Sequence, residues 1–249
     1  MEKFYDLLYN KKYKSECHSY LIEIHAWRQC RRRRGGFVYP INLDLRERLC
    51  AVIGGGSVAL RKARTLLQAG AKVTVIAPVL TAELARLAES GQLRWQAKQY
   101  ADGDLKNFFI VICATNSPAA NVRAASEAKR EGALVNVAEP SQMSDFTVPA
   151  QVRRGDLLLT VSTGGKSPAL ARQLRRELER DFGDTYGAWL ECLTVLRGEM
   201  KSRLENSQAR EAFWRQAMDA AVLELVKQGE LKRAEARIRD AIDSFGIES

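Results

Sequence analysis

The chain has 249 residues, 46% of them apolar, enough to bury one large core or two smaller ones. No stretch approaches the roughly 18 apolar residues of a spanning helix, and the first residues lack the charged, apolar and small-residue order of a secretory signal, so a cytoplasmic protein without membrane contact is expected. The net charge of +9 argues weakly for nucleic acid, because residues 1–36 hold nine Lys/Arg against four Asp/Glu, and Arg31, Arg32, Arg33 and Arg34 beside Gly35-Gly36 read as a solvated linker; no nucleic-acid partner is expected.

Residues 1–36 show neither helical nor alternating periodicity and are expected to be a disordered appendage. Phe37-Val38-Tyr39-Pro40-Ile41-Asn42-Leu43 reads as extended, Pro40 precluding a helix, and 44–48 as a polar turn at which the domain begins. Apolar runs and helical periods then alternate. A buried strand is expected over 49–53, a helix over 58–69, a strand over 72–76, and a helix over 81–89 capped by Thr81. Further strands fall at 93–97, 108–114 and 133–137, with a helix over about 119–131 before the last. This is βαβ alternation, which implies a parallel sheet with helices on both faces over 37–147. At Phe146 the pattern changes. Two runs, 147–152 and 157–162, flank Arg153-Arg154-Gly155-Asp156 as an antiparallel hairpin, and Ser167-Pro168 opens a helix to about 182, giving a small α+β region over 148–184. From 185 to 249 the chain reads as all-helical. An apolar stripe runs through Trp189, Leu190, Leu193 and Leu196, and helices are expected over 209–228 and 231–245.

The strongest local motif is Gly54-Gly55-Gly56-Ser57-Val58-Ala59 between the first strand and the first helix. Gly54 makes the tight turn, Gly56 lets backbone approach a pyrophosphate, and Ala59 permits close helix packing. The amides of Ser57 and Val58 open the helix and meet phosphate charge. With a strand before it, a helix after it and a second strand about 20 residues on, the loop reads as the dinucleotide cradle of a Rossmann-like α/β fold. The acid expected after the second strand is missing; Ile76-Ala77-Pro78-Val79 stands there. The ribose must be met by other groups around Pro78 and Val79, and the lack of a nearby Arg favours NAD over NADP. Thr115 and Asn116 follow another strand at the same carboxyl edge, as do Glu139 and Asp145 after 133–137.

The five cysteines, Cys17, Cys30, Cys50, Cys113 and Cys192, are scattered without the close spacing of zinc or redox pairs. Both histidines, His18 and His25, lie in the appendage, so acid–base work in the body falls to carboxylates, hydroxyls, lysines or the substrate itself, and no metal site is expected. A second glycine motif, Ser162-Thr163-Gly164-Gly165-Lys166-Ser167-Pro168, sets small hydroxyls and free amides at a helix start, an arrangement suited to an anion such as a carboxylate.

Taken together, the glycine loop followed by Arg61-Lys62-Ala63, Val73-Thr74-Val75-Ile76-Ala77-Pro78, Ala114-Thr115-Asn116 with Asn121, Asn136-Val137, Phe146, Pro149 and the 162–169 segment resemble the precorrin-2 dehydrogenase and sirohydrochlorin ferrochelatase family, the dehydrogenase-chelatase part of sirohaem synthase. The likeness covers about 37–178. It implies NAD-dependent oxidation of precorrin-2 to sirohydrochlorin, in some members insertion of ferrous iron, and a homodimer with 148–184 as dimerisation region. The family's key carboxylate, an Asp in an Asn-Val-x-Asp context, falls here on Glu139, one methylene longer, and is expected to be the catalytic base. Asn136, Ser162, Thr163, Gly164, Lys166 and Ser167 are the expected substrate contacts, with Arg153, Arg154 and Arg172 as further partners for the eight carboxylates of precorrin-2. The competing reading is a non-catalytic NAD-sensing regulatory domain, with the Arg-rich leader and helical tail as partner contacts. Such sensors usually keep the acid that this chain lacks.

Overall fold

The computed structural model describes residues 38–203 and 206–245. The expected appendage, with His18, His25, Cys17, Cys30 and the Arg run, lies outside the described residues. The chain divides into two compact units, one through Thr147 and one from Val148.

The first unit is a five-stranded sheet in the order β3-β2-β1-β4-β5, formed by β1 (Leu49–Ile53), β2 (Lys72–Ile76), β3 (Arg94–Gln96), β4 (Ile110–Cys113) and β5 (Leu134–Val137). Every pairing is parallel, with Val52 opposite both Val75 and Ile112. Successive side chains point to opposite faces of a sheet covered on both sides, which is why the central strands are apolar at consecutive positions. On one face Val52, Val75 and Ile112 pack with Ala59, Ala63 and Leu66 of α1 (Ser57–Gln68) and Leu84 of α2 (Ala82–Glu89). On the other, Ala51, Ile53, Val111 and Val135 pack with Ala124, Ala125 and Ala128 of α3 (Pro118–Arg130). Burial pushes the thiol of Cys50 up to about 11 and that of Cys113 up to about 12, so both remain neutral core groups.

The 38–43 segment forms no helix, joins no strand and is exposed, with Tyr39 at 83%. Two expectations change in this unit. The strand expected over 93–97 contracts to three residues at the sheet edge, where the Trp95 indole donates to the Ala77 carbonyl at 2.9 Å. Thr81 does precede α2, but its hydroxyl makes no cap and is buried without a partner among the described residues.

Glu127 is a buried charge of the first unit, 4% exposed on α3. Its carboxylate accepts the amides of Gly103 at 3.1 Å and Leu105 at 2.8 Å and the Tyr100 hydroxyl, so it fixes the long connection from β3 to β4.

In the second unit β6 (Ala150–Arg154) and β7 (Leu157–Val161) form an antiparallel hairpin. It is followed by α4 (Pro168–Asp181), α5 (Thr185–Arg203), α6 (Ser207–Ala217), α7 (Ala220–Gln228) and α8 (Leu231–Phe245). Trp189, Leu196, Met200, Phe213, Val222, Val226, Ile238 and Ile242 make the core of the last four helices. The helix expected over 209–228 is two helices. Asp219 interrupts it by accepting the Val222 amide at 2.8 Å as an N-cap, and its carboxylate also accepts from Arg237 at 2.7 Å. That guanidinium, ahead of the amide, holds the Asp219 carboxyl below its usual range. Among the described residues no helix is long and apolar enough to cross a membrane.

Replacing Glu127 by Ala would strip two amides of their acceptor and leave the Tyr100 phenol with Asp102 alone, and the cost expected is about 3 kcal/mol. Urea unfolding monitored by circular dichroism should show that loss; a change under about 1 kcal/mol would mean that water replaces the carboxylate.

Candidate functional site

At the carboxyl edge of the sheet the strand order reverses between β1 and β4, and the loops that follow them diverge to open a crevice there. A cleft of about 680 Å³ occupies this position. Its walls include Gly54, Gly55 and Gly56 from the first loop, Pro78, Val79 and Thr81 after β2, and Thr115 and Asn116 after β4.

The three glycines do different things. Gly54 has φ +118°, and a Cβ there would lie 2.4 Å from the Ala114 carbonyl oxygen. At Gly55 a Cβ would stand 1.9 Å from the Val79 carbonyl oxygen, while its own carbonyl accepts the Thr81 amide at 2.9 Å. Side chains at these two positions would push the ends of β1, β2 and β4 apart. At Gly56 a Cβ would meet nothing within 4 Å, although the residue lines the cleft. It is also the N-cap of α1, in extended conformation and without a capping side chain. The first-turn amides of Ser57, Val58 and Ala59 precede the first helical bond, from Leu60 N to Gly56 O at 3.0 Å. Open space beside an uncapped helix start fits the pyrophosphate of a dinucleotide. Ala59 is fully buried against the sheet. Its part is close packing, with only the amide near the helix start.

The loop after β4 is held by Asn121, which is fully buried. Its Oδ1 accepts from Thr115 N at 3.1 Å and Thr115 Oγ1 at 2.8 Å; its Nδ2 donates to the carbonyls of Thr115 at 3.2 Å and Glu139 at 2.9 Å. One amide side chain therefore ties the loop bearing Thr115 and Asn116 to the loop bearing Glu139. The Glu139 side chain is exposed, and its carboxylate has no hydrogen-bond or ion-pair partner among the described residues. The Glu139–Pro140 peptide is cis. Asp145, the other carboxylate beyond β5, has structural partners: it accepts the Val135 amide at 3.0 Å and pairs with Lys129 at 2.8 Å. Asn136 is 8% exposed and donates to the Phe146 carbonyl at 2.9 Å.

Tyr100, Gln99 and Arg123 also line the cleft and were not anticipated. Arg123 lies over the Tyr100 ring, 5.9 Å from its centre, and donates to Asp102 at 3.1 Å. Desolvation, then the hydrogen bond to Glu127, raises the Tyr100 hydroxyl far above its ordinary range and keeps it a donor. The Arg123 bond, followed by that from Tyr100, lowers the Asp102 carboxyl. A long-range contact of α3 with the loop after β3 leaves no local signal in sequence.

In the second unit the 162–167 turn is built on left-handed Gly164 and Gly165, with φ +60° and +78°. Several amides expected to be free have partners inside the turn: Gly164 N donates to Ser162 Oγ at 3.3 Å, Lys166 N to Thr163 O at 3.1 Å, and Ser167 N to Thr163 Oγ1 at 3.2 Å. Ser167 caps α4 by accepting the Leu170 amide at 3.2 Å. Arg154 is likewise committed, donating to the carbonyls of Phe182, Arg153 and Glu179. Lys166 and Arg172 carry no ion pair among the described residues.

Residues 41–150 match a family model for NAD(P)-binding domains, 154–181 that of the sirohaem biosynthesis protein central region, and 185–242 that of the sirohaem synthase dimerisation region. Dimerisation is expected at 148–184 from the resemblance, whereas the model of that description covers the helices α5 to α8. The chain is 38% identical over 205 residues to a sirohaem synthase of Methylococcus capsulatus, covering 82% of this chain and 43% of that protein. It is 36% identical over 204 residues to one of Nitrosococcus oceani, covering 82% and 44%. It thus spans less than half the length of these relatives. A solved structure of SirC, a precorrin-2 dehydrogenase, aligns with TM-score 0.64 and 33% identity over 80% of this chain and 100% of that one.

Replacing Gly56 by Ala should leave the urea midpoint nearly unchanged, since its backbone is ordinary and its surroundings open, yet weaken dinucleotide binding by about tenfold or more. Gly55→Ala should instead lower thermal stability. Isothermal titration with NAD beside a melting curve separates the two, and equal NAD affinity in Gly56→Ala would remove the pyrophosphate from this loop.

Proposed function

The chain belongs to the precorrin-2 dehydrogenase family, and we propose that it oxidises precorrin-2 to sirohydrochlorin with NAD as oxidant. The observation that carries this reading is the unpartnered Glu139 carboxylate on a loop fastened through Asn121 to the Thr115 wall of the nucleotide cleft. The oxidation removes a hydride and a proton from the macrocycle. When bound, the nicotinamide accepts the hydride. Gly54 and Gly56 give backbone access to the pyrophosphate, and the amides of Ser57, Val58 and Ala59 supply donors to it. Pro78 and Val79 border the ribose through their backbone, and Thr115 and Asn116 border the nicotinamide half. Glu139 takes the proton; as a general base it is expected to contribute about 10²- to 10⁴-fold.

Substrate carboxylates are assigned to the 162–167 turn of the second unit. There Ser162, Thr163 and Gly164 set the curvature, and Lys166 supplies charge. Ser167 fixes the start of α4, and Asn136 in the first unit holds the exit of β5. The turn recognises anions mainly through side chains, because the amides of Gly164, Lys166 and Ser167 have internal partners. Ferrous iron is the second substrate that this machinery could serve, with Glu139 accepting pyrrole protons as the metal enters the ring. We assign the homodimer contact to the second unit, where the family's dimerisation model falls.

NAD is preferred to NADP because Arg123, the basic side chain of the cleft wall, already donates to Asp102 and covers Tyr100. Steady-state assays should give kcat/KM for NAD about tenfold or more above that for NADP; the reverse order would overturn this assignment.

Anaerobic incubation of the protein with NAD and precorrin-2, followed by absorbance, should yield sirohydrochlorin, and no conversion would sink the reading. Glu139→Gln should lower kcat by about 10² or more with NAD affinity preserved. Unchanged turnover would transfer the base role to another group.

A further inference from the structure

The second unit contains a cleft of about 750 Å³, lined by α5 and α6, that shares no residue with the nucleotide cleft. Its cations are Arg197 and Lys201, one turn apart on α5, and Arg210 and Arg215 on α6. Among the described residues of its lining the carboxylate is Glu211, which is paired with Arg215 at 2.8 Å. Arg197 and Lys201 are exposed and make no ion pair among the described residues. Trp214 supplies a partly buried aromatic wall, held edge-on to Phe213 with ring centres 5.1 Å apart. Gly198 lies between the two α5 cations, and a Cβ there would meet nothing within 4 Å. A glycine inside a helix costs about 1 kcal/mol relative to Ala, and here the missing side chain leaves room.

An excess of guanidinium and ammonium groups around an indole suits a planar ring that carries several anionic groups. The Arg forks match carboxylates or phosphates, and the indole offers stacking area. The volume is within the usual range for small-molecule sites. The N-terminus of α6 is already capped by Asn206, which accepts from the Gln208 amide at 2.8 Å, so side chains rather than a helix end provide the charge.

We propose that this α5–α6 cleft is a second binding site for a planar polycarboxylate macrocycle, seated by Arg197, Lys201, Arg210 and Trp214. The choice of a macrocycle rests on the proposed reaction; the anionic, planar chemistry rests on the cleft. Such a site would hold substrate awaiting the reaction or product leaving it.

The test is equilibrium dialysis of the full-length protein with uroporphyrin, a macrocycle with eight carboxylates. ATP and tripolyphosphate serve as competitors, and the variants are the double substitution Arg197→Glu with Lys201→Glu and, separately, Gly198→Leu. Both variants should lose a class of bound macrocycle, seen as about tenfold weaker affinity, while melting temperature and dehydrogenase kcat stay at wild-type values, and an altered elution volume would assign the cleft to the subunit contact and overturn the proposal. Gly198→Leu fills open space in a helix and should not unfold the chain, so its loss of binding reports the cleft itself. Unaltered affinity in both variants overturns the proposal. Displacement by tripolyphosphate at equal concentration overturns it as well, by showing a generic anion patch, and tighter binding of ATP would assign the cleft to nucleotides. Should the dehydrogenase reading fail, turnover would be absent while the difference between wild type and variants in dialysis would persist.

Discussion

Two backbone carbonyls, those of Ala114 and Val79, stand where the side chains of residues 54 and 55 would begin. Only hydrogen atoms at these Cα positions let the loop after β1 lie against the chain leaving β4 on one side and β2 on the other. Three strand ends are drawn together, and the first turn of α1 is delivered uncapped to the crevice. The Gly54 amide donates to Ile76 O at 3.0 Å and the Ala114 amide to Ile53 O at 2.8 Å, so the ladders continue to the edge of the loop. The precision of the site is thus a property of the sheet. Loops are more reliable when a scaffold fixes both their ends.

Helix α3 does for the far side what the glycines do for the near side. Two of its buried polar residues, Asn121 and Glu127, face different loops, and each satisfies several backbone groups. A side chain that makes several bonds in a low-dielectric setting specifies geometry more sharply than apolar packing would, since any alternative placement leaves unpaired groups. The ordering of the 97–109 connection and of the Thr115 and Glu139 loops therefore depends on one helix whose other buried positions are Val122 and three alanines.

Much of this was legible in sequence, and for a definite reason. Strands buried on both faces read as unbroken apolar runs, and the chain writes β1, β2, β4 and β5 that way; the limits of β1 and β2 are as expected residue for residue. Legibility fell where tertiary context decides. The apolar period runs through Met218 and Asp219 without a break, yet the Asp219 side chain caps α7 and splits the helix. Thr81 has the identity and position of a cap, but the amide of the same residue is drawn to Gly55 and its hydroxyl makes no bond. The glycine loop and Glu139 could be found from their position after strands. Tyr100 and Arg123 could not, because their place in the cleft wall arises from a crossover connection folded onto α3.

The bonds of Asn121 carry one more implication. Thr115 and the backbone of Glu139 hang on opposite sides of the same buried amide, so the wall facing one ligand and the loop facing the other share a single support. On the proposed function, a ligand that displaces Thr115 also loads the support of the Glu139 loop, and any coupling that results is equal in either direction.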